Sequence, residues 1–111
     1  MTGEAKPVVV GVDDSEAAVR ALRWALDEAL VRGCEVRAVT VWSVDVTRQP
    51  PWSSVELIRE RHERTLHETV RRATEGRERL PTVVPMVVEG SAAGALIEVA
   101  EGAALLVVAR R

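Results

Sequence analysis

The sequence predicts an α/β fold, an open and mostly parallel sheet with helices on both faces, and three observations carry this prediction. Short aliphatic runs at 7–12, 35–42, 83–88 and 104–109 alternate with longer segments of helical period. The first and last of these runs show no polar alternation, which is how strands buried on both faces of a parallel sheet read. Strands separated by helices call for right-handed crossovers, so neighbouring strands run parallel.

Taken in order, Pro7 to Val12 is a β-branched run and forms the first strand. Asp13-Asp14-Ser15 follows as a turn, and the Ser15 hydroxyl can accept from an otherwise unpaired N–H of the next helix. That helix runs to about Arg32: Ala18, Leu22, Ala25, Leu26 and Ala29 form one apolar stripe, while Arg20, Arg23, Asp27 and Glu28 lie off it. Gly33 closes it as a C-terminal cap. Glu35 to Trp42 is the second strand, and Pro50-Pro51 imposes a long loop over Ser43 to Ser54. Val55, Ile58, Leu66, Val70 and Ala73 recur at helical spacing in a second helix to about Arg79, whose Glu60–Arg64 and Glu68–Arg72 pairs mark a solvated face. Val83 to Val88 is the third strand, placed at a sheet edge by Pro85, which cannot donate to a ladder. Gly90-Ser91 opens a third helix expected to turn Leu96, Ile97 and Ala100 inward, and Ala104 to Ala109 is the fourth strand.

Length and composition narrow the function classes. At 111 residues, one domain spanning 1–111 is expected, with a core that is aliphatic because the sequence has no Phe or Tyr and only Trp24, Trp42 and Trp52 as aromatic residues. Few aromatic groups, a net charge of -2 and interspersed acids and bases argue against a nucleic-acid or membrane partner. No apolar run approaches a membrane span, and the segment Met1 to Pro7 is short and polar, so a cytoplasmic protein is expected. Cys34 is the only cysteine and reads as a small buried hydrophobe. His62 and His67, five residues apart on the second helix, read as surface residues; no metal ligand set and no nucleophile–base arrangement suggests itself, so no enzyme is expected.

Four segments together resemble the universal stress protein family: Val-Val-Val-Gly-Val-Asp-Asp-Ser at 8–15, Ala-Leu-Arg-Trp-Ala at 21–25, Glu-Gly-Ser-Ala-Ala-Gly-Ala-Leu-Ile at 89–97 and Ala-Leu-Leu-Val-Val at 104–108. The resemblance implies a sheet of order 3-2-1-4-5 and, in many members, ATP at the point where the chain reverses direction between strands one and four. It implies that an aspartate after strand one meets the ribose, matched here by Asp13 with Asp14 and Ser15 beside it, and that backbone near the end of strand two meets adenine, matched by Val41. Asp-Asp-Ser also reads as an ordinary capped strand-to-helix turn, and Gly11 as a residue permitting close packing. Parallel strands bring their carboxyl ends together, so residues 13–15, Val41 and Arg110 are expected at one edge of the sheet.

The family's phosphate loop, with spaced glycines, follows strand four, whereas this sequence carries Ala109 there and ends at Arg110-Arg111 before such a loop and a fifth strand. Arg110 could meet a phosphate by bidentate contact or be a solvated terminus. Losing three bonds to charged groups, each about 1.5–3 kcal/mol, removes on the order of three decades of affinity. The expected function is therefore a non-catalytic stress-response or interaction module with weak or absent adenine-nucleotide binding. The alternative is an ATP-binding module whose phosphate loop a longer chain supplies. The uncharged fourth strand, left at an edge, is expected to pair in a homodimer or other self-association.

Overall fold

A computed structural model of the chain describes residues 5–43 and 54–109. The expected loop over 43–54, Trp52, and the terminal Arg110 and Arg111 lie wholly or mostly outside them. Among the described residues the elements run β1 (Val8–Gly11), α1 (Glu16–Arg32), β2 (Val36–Trp42), α2 (Val55–Thr74), β3 (Val83–Glu89), α3 (Ala92–Val99) and β4 (Leu105–Val108).

Each helix starts and stops for a local reason. Ser15, in extended backbone, accepts from the Ala18 N–H at 3.1 Å and so caps α1, and Gly33 ends it at φ 70° with its N–H bonded to Ala29. Ser54 caps α2 in the same way through the Leu57 N–H. The second helix stops at Thr74, short of the expected Arg79, because Gly76 turns the chain at φ 76° and Arg77 then reaches back to α1.

The sheet has four strands in the order β3-β2-β1-β4, and every pairing is parallel, so the α/β architecture read from the sequence is the one observed. Pro85 sits on edge strand β3, opposite Ala38. Val8 and Val10 of β1, Val36 and Ala38 of β2, the α1 stripe and Leu66 and Ala73 of α2 make one buried cluster. Leu105 and Val107 of β4 pack against this cluster, so strand alternation turns Leu106 and Val108 to the opposite face, where they are 40% and 60% exposed. That face carries α3, whose Leu96 lies over Gly11.

Several side-chain placements refine the sequence reading. Ile97 is 68% exposed rather than inward: α3 buries Ala95 and half-buries Leu96, and the next residue is carried about 100° round the helix. Trp24 is half-exposed on α1, leaving Trp42 as the buried aromatic residue among those described. His67 is exposed as expected, but His62 is half-buried, stacked on Trp42 with ring centroids 6.1 Å apart and planes at 26°. Cys34 is half-buried against the core.

Candidate functional site at the carboxyl edge of the sheet

β1 gives way to a helix on one face while β4 arrives from a helix on the other, so a cleft opens at the carboxyl ends of these strands. The turn at its base is firmly held. The Val12 N–H donates to the Val39 carbonyl at 2.7 Å, and the buried Thr40 hydroxyl donates to the Val12 carbonyl at 3.1 Å. Both polar backbone groups of Val12 are thus tied to β2, and Asp13 leaves from a fixed point. The Ser15 hydroxyl, while capping α1, donates to Asp13 Oδ1 and orients that carboxylate.

Val41 is placed by the ladder. Odd residues of β2 face β1, as the Val39 bond shows, and even ones face β3, as the Gly90 N–H to Trp42 carbonyl bond at 2.9 Å shows. The backbone of Val41 therefore faces the space beyond the end of β1.

Gly11, Val12 and Asp13 from the end of β1, Val41 from β2, Leu96 from α3 and Val108 with Ala109 from β4 line a cavity of about 190 Å³. A Cβ on Gly11 would stand 3.2 Å from Leu96 Cδ1, so glycine sets how close α3 comes to the sheet there. On the α2 side of the same edge lies a second cavity of about 340 Å³, where Val12, Asp13, Asp14, Thr40 and Val41 meet Arg61, His62 and Thr65. The two hollows share Val12, Asp13 and Val41.

Of the residues singled out in the sequence, Asp13 and Val41 come together on both cavity walls, Asp14 borders only the α2 side, and Ser15 acts through the cap and Asp13. Arg110 lies outside the described residues. Sequence reasoning missed Thr40, Arg61, His62, Leu96 and Val108. For His62 a signal existed: with Ile58, Leu66 and Ala73 it falls on the sheet-facing stripe of α2.

Larger hollows occur on the outer face of α2, about 470 Å³, and at the amino edge beside Gly33 and Cys34, about 500 Å³. Neither is at the switch point, and the first is walled by charged side chains that include the Glu68–Arg71 pair. The carboxylates held below their ordinary range, Asp27 by Arg77 and Glu68 by Arg71, are likewise on helix surfaces away from the cleft. Among the described residues no three His, Cys, Asp or Glu side chains converge as a metal ion would need, and no helix is long and apolar enough to cross a membrane.

Comparison with known proteins gives the fold and the cleft a context. Residues 4–111 match the model of the universal stress protein family. The chain is similar to a universal stress protein crystallised in complex with cAMP, with 25% identity over 93% of this chain and 75% of that one and a TM-score of 0.72. It is also similar to a universal stress protein from Archaeoglobus fulgidus, with 27% identity over 93% of this chain and 74% of that one and a TM-score of 0.64. A protein from Mycobacterium tuberculosis H37Rv shares the fold, at 23% identity over 100% of this chain and 75% of that one, with a TM-score of 0.69. No curated protein matches the sequence.

Proposed function

This chain belongs to the universal stress protein family, and from that premise we propose that it is a non-catalytic, cytoplasmic module taking an adenine nucleotide weakly, through its adenosine part, at the carboxyl edge of the sheet. The observation that carries this reading is the cavity between Leu96, Val41 and Val108, with Asp13 at its border. Its flanks are aliphatic, as a planar base requires, and Asp13 is an acceptor held in place for a ribose hydroxyl. The relative crystallised with cAMP supports an adenine nucleotide as the class of ligand. No reaction is assigned, because the lining described supplies one oriented carboxylate among apolar groups. The same reading includes self-association through the edge strand β4.

A second reading is favoured by one observation: the chain spans 75% of the relative that holds cAMP, so further residues could contribute a phosphate loop to this cleft and raise ATP affinity. Calorimetric titration with adenosine and ATP, combined with an assay for released phosphate, tests both. Weak binding of both ligands without phosphate release is the expected result for these 111 residues. Low-micromolar ATP affinity, or turnover, would overturn the first reading.

A further inference from the structure

We infer that a second copy of this chain docks antiparallel on the β4 edge in one register, with Val107 of both copies on the two-fold axis and Leu106 of each opposite Val108 of the other. The inference rests on the self-association through β4 proposed above and adds its direction, register and point of closure.

The free side of the strand follows from the ladder. The Ala104 N–H donates to the Pro7 carbonyl at 2.8 Å, so the even residues of β4 turn their backbone groups toward β1. Those of Leu105, Val107 and Ala109 therefore face the other way, where no strand lies among the described residues. The opposite edge is arranged differently. The Val36 N–H donates to the Thr82 carbonyl and the Gly90 N–H to that of Trp42, so the even residues of β3 face β2. Pro85 thus falls on the outward side of β3, where its missing N–H denies another chain a bond. Head-to-tail growth, with β4 of one copy on β3 of the next, meets this proline. The complement left for β4 is β4 of a second copy, in a pair that closes on itself.

Charge selects the direction. In the sequence Glu98 and Glu101 precede β4, and Arg110 and Arg111 follow it. Antiparallel pairing brings the acidic end of one copy to the basic end of the other, whereas parallel pairing would superpose like charges.

The register follows from which groups can meet. With Val107 on the axis, it pairs with its own counterpart and Leu105 pairs with Ala109 of the second copy, so all three outward-facing residues find partners. Moving the axis to Leu106 sets Ala109 opposite Ala103, whose N–H is already bonded to the Ala100 carbonyl at 2.9 Å. Moving it to Val108 sets Leu106 opposite Arg110. The two-fold axis is normal to the sheet, which keeps the α3 sides of both copies on one face. The exposed Leu106 and Val108 side chains of the two copies cover one another there.

Disulfide trapping in a Cys34→Ala background reads the register, at concentrations where sedimentation shows association. Opposite residues at a position without ladder bonds have Cα atoms close enough for a disulfide, so a mixture of Leu106→Cys and Val108→Cys chains in oxidised glutathione should yield at least about tenfold more covalent dimer than either chain alone. Thermal melting establishes that both variants are folded. Amide exchange of the unmodified chain gives an independent reading. The Leu105 and Val107 amides should slow as concentration rises, while those of Leu106 and Val108, which already face β1, should not change. Efficient trapping of Leu106→Cys with itself, or of Val108→Cys with itself, would overturn the register and leave pairing through β4 standing. A chain that associates with no slowing at Leu105 and Val107, or that stays monomeric throughout, would overturn the β4 interface and this inference with it.

Discussion

Gly11 and Ser15 each perform two tasks at the cleft, and that makes them informative to change. An alanine at position 11 places its Cβ 3.2 Å from Leu96, a contact that a leucine side chain can relieve by a small shift. Gly11→Ala should therefore fold with little loss, whereas Gly11→Val should push Leu96 aside, fill part of the 190 Å³ slot and abolish adenosine binding before it abolishes folding. Retained binding in a folded Gly11→Val chain would remove the slot as the site. Ser15→Ala deletes the cap of α1, at a cost of about 1 kcal/mol, and also the hydroxyl that orients Asp13. Chemical denaturation and nucleoside titration should thus move together, and a stability loss without weaker binding would separate the cap from the site. Asp13 and Ser15 were legible in the sequence because turn and cap chemistry is local. Thr40 and His62 were not, since their roles depend on which strand and which helix face lie opposite. The stripe on α2 hinted at His62, but only the fold brings it onto Trp42.

At the scale of elements, α1 and α2 are joined outside the core by a set of arginine contacts. Arg72 bonds Glu16 at 2.6 and 2.7 Å, Arg77 bonds Asp27 at 2.6 Å, and Arg23 and Arg77 also reach backbone carbonyls across the helix pair. The hydrogen bond from Arg77 holds the Asp27 carboxyl below its ordinary value of 3.8. A depressed carboxylate pKa contributes stability that is present above the unfolded-state value and lost as pH falls through the folded one. Removing the guanidinium in Arg77→Met should lower the melting temperature slightly at neutral pH. The difference from the parent should shrink on acidification through the carboxylate range and also shrink at high salt, because the pair is solvent-exposed. A difference independent of both pH and salt would assign Arg77 a packing role instead. This clamp explains why the helical pattern to Arg79 overestimated α2: charge periodicity continues through Arg77, but Gly76 bends the chain and the arginine is used across the helix pair. Strand order and parallel pairing, by contrast, followed from the alternation of strands and helices, because crossover handedness leaves few topologies open.

For the whole molecule the consequential feature is the asymmetry of its two sheet edges. The β3 edge carries Pro85 and ends at Glu89, both of which discourage pairing with another chain. The β4 edge is Leu-Leu-Val-Val, and Leu106, Val108 and the nearby α3 residue Ile97 are all exposed. Backbone N–H and C=O groups along the outer side of β4 have no neighbouring strand among the described residues, and the apolar side chains beside them favour a partner over water. Four residues make a short template, so the association should be weak and concentration-dependent rather than obligate. The alternation of β4 decides which substitution is diagnostic. Val107 packs against the α1-side cluster, so a lysine there would disturb the core, whereas Val108 is 60% exposed and can carry a charge without loss of fold. Sedimentation of the parent chain over a concentration series should show reversible self-association. Val108→Lys should weaken it by about tenfold or more, since a lysine on the edge strand would have to be desolvated for a second copy to pair there, with the melting temperature close to that of the parent. A parent chain that stays monomeric at every concentration, or a Val108→Lys chain that associates as readily, would mean that another surface covers β4 or that assembly uses a different face.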